Sequence, residues 1–151
     1  MVTPLLASRE GTWHGTGRTR SADGAWSAWR AAYTCDLTSP TSLICTIRTD
    51  GAETRVLTEV YRGDAVEVTV TGRHGRMIET RTGRIEHLTY VSPRDWTLVR
   101  SSIALRDGAD FEVRHVAVMD KGQIRLRTRT RPAGSDQAFR DHVTGGLNAE
   151  P

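Results

Sequence analysis

The sequence predicts an all-β protein: a single closed antiparallel up-and-down barrel of about eight to ten strands spanning residues 1–151. Three observations predict it. Apolar and polar residues alternate along short segments, and turn-forming residues separate those segments at short intervals. A sheet of that many strands also has edges to hide, and closing it into a barrel hides them.

The alternation is clearest in the first half of the chain. After an opening strand at Gly11–Arg20, the segment Ala25–Leu37 carries Trp29, Ala31, Tyr33, Cys35 and Leu37 on one face, opposite Arg30, Thr34 and Asp36. Leu43, Cys45 and Ile47 continue the apolar face. Val56, Thr58 and Val60 alternate with Arg55, Leu57 and Glu59, and Val66, Val68 and Val70 with Glu67, Thr69 and Thr71. A period of two marks strands with one face buried. Further strands are expected at Arg76–Thr82, Arg84–Val91, Trp96–Leu105, Phe111–Met119 and Gln123–Arg131. Turn residues break the chain at Asp50-Gly51, Gly63-Asp64, Gly72 to Gly75, Gly83, Ser92 to Asp95, Asp107-Gly108 and Lys121-Gly122. Connections this short pair neighbouring strands antiparallel.

The rival architecture is a two-sheet sandwich, whose core should be dry. Here Phe111 and Val113 share a face with His115, Ile85 with His87, and Leu57 with Arg55 and Glu59. Polar groups among apolar ones suit a ligand cavity, and a barrel of this size has room for one small molecule. Helix is scarce. Thr3–Arg9 is expected to form a short turn that plugs or lids one end. Ser135–His142, with Ser135 as N-cap, is the second helical candidate.

Composition narrows the function classes. Twenty of the 21 basic residues are Arg, with Lys121 the lone Lys, and acidic residues are interspersed among them. Base composition of the gene accounts for such a bias; a nucleic-acid surface would cluster its charge and interleave aromatics, so no nucleic-acid partner is expected. No apolar run approaches the roughly 20 residues of a membrane span. Residues 1–10 show no secretory pattern, so no membrane and a cytoplasmic location are the expectation. Cys35 and Cys45 lie symmetrically about the turn at Thr38–Thr41. A disulfide is geometrically open to them, but a reduced pair is expected in a cytosolic protein. A homodimer is left open.

The opening strand reads Gly11-Thr12-Trp13-His14-Gly15-Thr16-Gly17. This pattern resembles the lipocalin-like (calycin) barrels, in which the Gly permits close backbone approach and the Trp plugs the barrel base. Its spacing is most similar to the nitrobindin-type, fatty-acid-binding-protein-like family of haem-binding barrels. The layout from Arg114 to Leu147 resembles the same family's C-terminus, where a His-Leu pair supplies the proximal ligand of haem iron. The matching position is His142, which the resemblance makes the expected haem ligand. Val143 stands where the family pattern has Leu, and Gly145-Gly146 is foreign to its last strand.

Other candidates follow from position in the alternation. Trp13, Trp29, Tyr33, His115, Leu126 and Thr128 are expected to line a pocket for a small hydrophobic organic molecule. Arg125, Arg127, Arg129 and Arg131 share one face and should point to solvent, because stacking four cations inside costs several kcal/mol per ion; Ile124, Leu126, Thr128 and Thr130 then face in. His14 and His74 are expected outside. Tyr90 is a further polar handle. No motif of nucleophilic, metal-hydrolytic or nucleotide-binding enzymes is present.

Two functional readings come from different classes. One is a binding barrel, with haem as a cofactor candidate. The other is a cofactor-free cyclase of bacterial secondary metabolism, acting on a polyketide or related substrate. Such an enzyme folds its substrate in the barrel and polarises a carbonyl with one or two groups. Tyr33, Glu59, Tyr61, His87 and His115 are the candidates for that role. A domain with a filled core and no ligand is the third possibility.

Overall fold

The computed structural model describes residues 1–150. Ten strands follow one short helix, α1 (Thr3–Ser8). They are β1 (Gly11–Arg20), β2 (Trp26–Ser39), β3 (Ser42–Thr49), β4 (Arg55–Arg62) and β5 (Ala65–Thr71), then β6 (Met77–Ser92), β7 (Asp95–Arg106), β8 (Ala109–Asp120), β9 (Gln123–Pro132) and β10 (Arg140–Ala149). Each strand pairs antiparallel with the next, and β10 pairs with β1, so the sheet closes into one barrel. Closure leaves no edge strand unpaired.

Alternation sets which residues face in. Val66 and Val68 of β5, Leu43 and Cys45 of β3, and Trp96 and Leu98 of β7 are buried. The arginine stripe of β9 faces out as expected: Arg125, Arg127 and Arg131 reach Asp120, Asp141 and Glu112. His14 lies outside near Glu150, and His74 sits in a turn with φ 57°.

α1 closes one end. A six-residue helix is marginal in water, and this one is held by burial of Leu5 and Leu6, which are fully enclosed. Two indoles fasten it: Trp13 Nε1 donates to the Arg9 carbonyl at 2.9 Å, and Trp96 Nε1 donates to Ser8 Oγ at 2.8 Å. Trp13 therefore plugs the base, as the opening motif implies.

Four expectations are corrected. Gly83 does not break the chain; β6 runs through it for 16 residues. A Cβ there would collide with the Ser101–Ser102 backbone of β7, so this glycine marks close approach rather than a turn. Ser135–His142 is not helical, and β10 begins inside it at Arg140. A helix there would have removed the pairing of Arg140 and Asp141 with Thr130 and Arg129 of β9. Gly145 belongs in that last strand because it lies opposite Gly17, and a Cβ at either would strike the Trp29 ring. Finally, Cys35 and Cys45 are directly opposed across β2 and β3, 4.1 Å apart at Cα, and are joined by a disulfide rather than reduced. Among the described residues, no helix is long and apolar enough to cross a membrane.

Candidate functional site

The barrel encloses a cavity of about 580 Å³, within the 300–1,000 Å³ of ordinary small-molecule sites. It runs from Arg9 and Trp13 beside α1 to Thr19, Ser27, Thr49 and Ala52 at the far end. Its walls differ. Strands β1–β3 contribute Trp13, Trp29, Ala31, Tyr33, the Cys35–Cys45 disulfide and Ile47, and no charge. Strands β6 and β7 contribute Glu79, Arg81, Arg100 and Arg106.

A buried polar network forms the cavity floor. Glu59 of β4 takes two hydrogen bonds from Arg9, at 2.8 Å to each carboxylate oxygen. Its Oε1 also accepts from Arg100 Nη1 at 2.9 Å and from the Tyr61 hydroxyl at 2.7 Å. Arg100 Nη1 donates in turn to the Tyr61 oxygen at 2.8 Å. Burial opposes ionisation of Glu59, but the charges of Arg9 and Arg100 and the bonds from Arg9 and Tyr61 overcome it, holding the carboxyl far below the usual range. Burial pushes the Tyr61 hydroxyl up to about 12. Arg100 stays charged because Tyr61 and Glu59 outweigh the burial that opposes it. Arg9 also ties the plug to the floor, so helix and site are one assembly.

A second ionic group lies further along the wall. Glu79, 2% exposed, is paired with Arg81 and with Arg106. Between the two groups stands His115, its Nδ1 3.2 Å from Thr128 Oγ1. Burial, then the charges of Arg100 and Arg81, hold its pKa well below 6.5, so the ring is neutral at pH 7. His142 lines the same cavity. Burial and the charges of Arg106 and Arg81 lower its pKa as well.

The structure thus brings Trp13, Trp29, Tyr33, Glu59, His115, Leu126, Thr128 and His142 together around one space. Tyr61 is buried behind the floor and does not line it. Tyr90 packs against the core away from the cavity. His87 is the misplaced candidate. A β-bulge between Ile85 and His87 shifts the alternation by one, so Leu88 turns inward and His87 lies exposed on the outside. Thr130 does not reach the cavity either.

Arg9, Glu79, Arg81, Arg100 and Arg106 escaped the reading from sequence. A signal existed for Arg100, which follows Trp96 and Leu98 at the inward period. Nothing local marks a charge as buried when its partner is 41 residues away, as Glu59 is.

No protein-family model matches the chain, and no curated protein matches it in sequence. Among solved structures, Rv2717c from M. tuberculosis is similar at TM-score 0.70 and 17% identity, over 97% of this chain and 95% of that one. The likeness is one of fold. A second structure, EF1p2_mFAP2b bound to DFHBI, aligns over 99% of this chain and 100% of that one. Its TM-score is 0.44 and its identity 13%, too low to define a shared fold.

Proposed function

We propose that the protein binds one small, flat, largely apolar molecule inside the barrel. The observation that carries this reading is the cavity itself. It is large enough for such a ligand, apolar on the side of β1–β3, and furnished with a few convergent polar groups on the other.

Haem is the first candidate, by the resemblance to nitrobindin-type barrels, and the residues fit it. His142 faces the cavity, its ring has no hydrogen-bond partner among the described residues, and its lowered pKa keeps the imidazole in the neutral form that coordinates iron. Haem would supply an iron centre for binding small gases or for redox chemistry. His142 would hold the iron, the β1–β3 wall would exclude water, and the Arg81 and Arg106 charges would offset carboxylates. Titration of the protein with haem is expected to give a Soret band that moves or disappears in His142→Ala. Identical spectra for the two proteins would remove His142 from the role, and no Soret shift at all would remove haem.

A second reading, cofactor-free cyclisation, is favoured by the two polar groups left for a substrate. His115 is neutral and directed into the cavity. The Tyr33 hydroxyl has no partner among the described residues, and burial raises its pKa, so it is a donor at neutral pH. Either can polarise a carbonyl of a substrate folded against the apolar wall. Turnover of a linear polyketide analogue that Tyr33→Phe or His115→Gln slows at least tenfold would support it; equal rates in wild type and both variants would not.

A further inference from the structure

We infer that the cavity selects an acceptor-rich anion: an apolar body carrying at least one carboxylate, received by the open edge of Arg100. The inference rests on the small-molecule-binding reading above and names the ligand class for it.

Both carboxylates facing the cavity already have their charge paired. Glu59 Oε1 accepts three hydrogen bonds and Oε2 a fourth from Arg9, while Glu79 is held between Arg81 and Arg106. A ligand ammonium would find no carboxylate here whose charge is not already shared by two arginines.

The donors are not spent. Arg100, only 5% exposed, makes all of its protein hydrogen bonds through Nη1. Its Nε–H and Nη2–H groups have no acceptor among the described residues, and the side chain lines the cavity. That edge is the fork that matches a carboxylate with two parallel bonds. Arg127 uses the same edge to grip Asp141 on the outside of the barrel.

Two more buried donors stand open on the same lining. Trp29 Nε1 has no partner among the described residues. Arg106 Nε lies 3.0 Å from Glu79 Oε1 but is too far off line for a hydrogen bond, and it too has no acceptor. Buried donors without acceptors are costly, and a ligand rich in oxygen acceptors removes that cost. Charge points the same way. Five arginines and two glutamates line the cavity, an excess of three positive charges.

The test uses the fluorescent neutral probe N-phenyl-1-naphthylamine, displaced at pH 7 by 2-naphthoate or by its methyl ester. A merely apolar cavity ranks the ester first, because the acid must leave water with its charge. Wild-type protein is expected to be emptied of probe by the acid at a concentration at least tenfold lower than by the ester. Arg100→Gln, in which Glu59 keeps Arg9 and Tyr61, should bring the two displacers to parity or reverse them. The wild-type ranking needs no variant to fold. Probe bound with the ester equal to or better than the acid overturns the anion assignment and leaves the binding reading standing. A wild-type protein that takes up no probe overturns both.

Discussion

Strands β1–β3 and strands β6–β7 stand on opposite sides of one cavity and are built by different physics. The first wall is held by shape. Trp29 lies on the paired glycines Gly17 and Gly145, and Leu147 presses on Gly15, where a Cβ would strike it. The second side is held by charge: Glu79 of β6 is paired with Arg81 and Arg106, and Glu59 of β4 with Arg9 and Arg100, both carboxylates being buried. An apolar wall tolerates a change of ligand shape poorly and a change of pH well. A charged wall does the reverse, and joining the two in one barrel defines an amphipathic ligand.

The largest expected effect breaks the charged wall. Glu59→Gln leaves the buried Arg100 and the part-buried Arg9 without their shared anion, and removing one partner of a buried pair typically costs about 3–5 kcal/mol. Denaturant unfolding should show a loss in that range. A loss below about 1 kcal/mol would mean the network is solvated and the contrast between walls is false.

The counterpart on the apolar wall is Gly145→Ala. The new methyl group would meet the Trp29 ring, and overpacking of this kind costs about 1–3 kcal/mol. Tryptophan emission should shift as Trp29 is displaced. An unchanged melting point and spectrum would show that Trp29 has room to move.

The smallest effect concerns pH and separates the walls most cleanly, since His115 and His142 both stand in the cavity and β1–β3 turn no histidine into it. The folded-state pKa of His115 lies below its ordinary value near 6.5. As pH falls through 6.5, the unfolded chain takes up a proton that the folded chain refuses. Stability should therefore be full above pH 6.5 and decline below it, by up to about 1.4 kcal/mol per pH unit for one such proton. His115→Gln should flatten much of this slope. The Glu59 contribution has the same sign but sets in lower, as pH falls below the ordinary carboxylate range near 4.5. A wild-type stability independent of pH between 6.5 and 5 would contradict a neutral, enclosed His115.

The fold was legible because it rests on local patterns. The alternation of Val66, Val68 and Val70 and the turns at Gly63-Asp64 and Asp107-Gly108 need no knowledge of distant partners. The apolar wall was legible for the same reason: Trp29, Ala31 and Tyr33 sit at the inward period of β2. His87 departs from the alternation because a bulge adds one residue without any composition signal. The charged wall stayed hidden because a buried Arg reads like any surface Arg until its carboxylate is known. Arg9 and Glu59 are 50 residues apart, and only closure of the barrel brings them together.

The most direct test of this two-walled hollow is a methyl NMR titration with N-phenyl-1-naphthylamine on protein labelled at Ile, Leu and Val. Ile47, Leu57, Val68, Leu98 and Leu126 line the cavity, whereas Val91, Ile103 and Leu105 are exposed on the outside. Saturable shifts are expected at the first group, with the second group still. Shifts confined to Val91, Ile103 and Leu105, or none at either, would contradict the account.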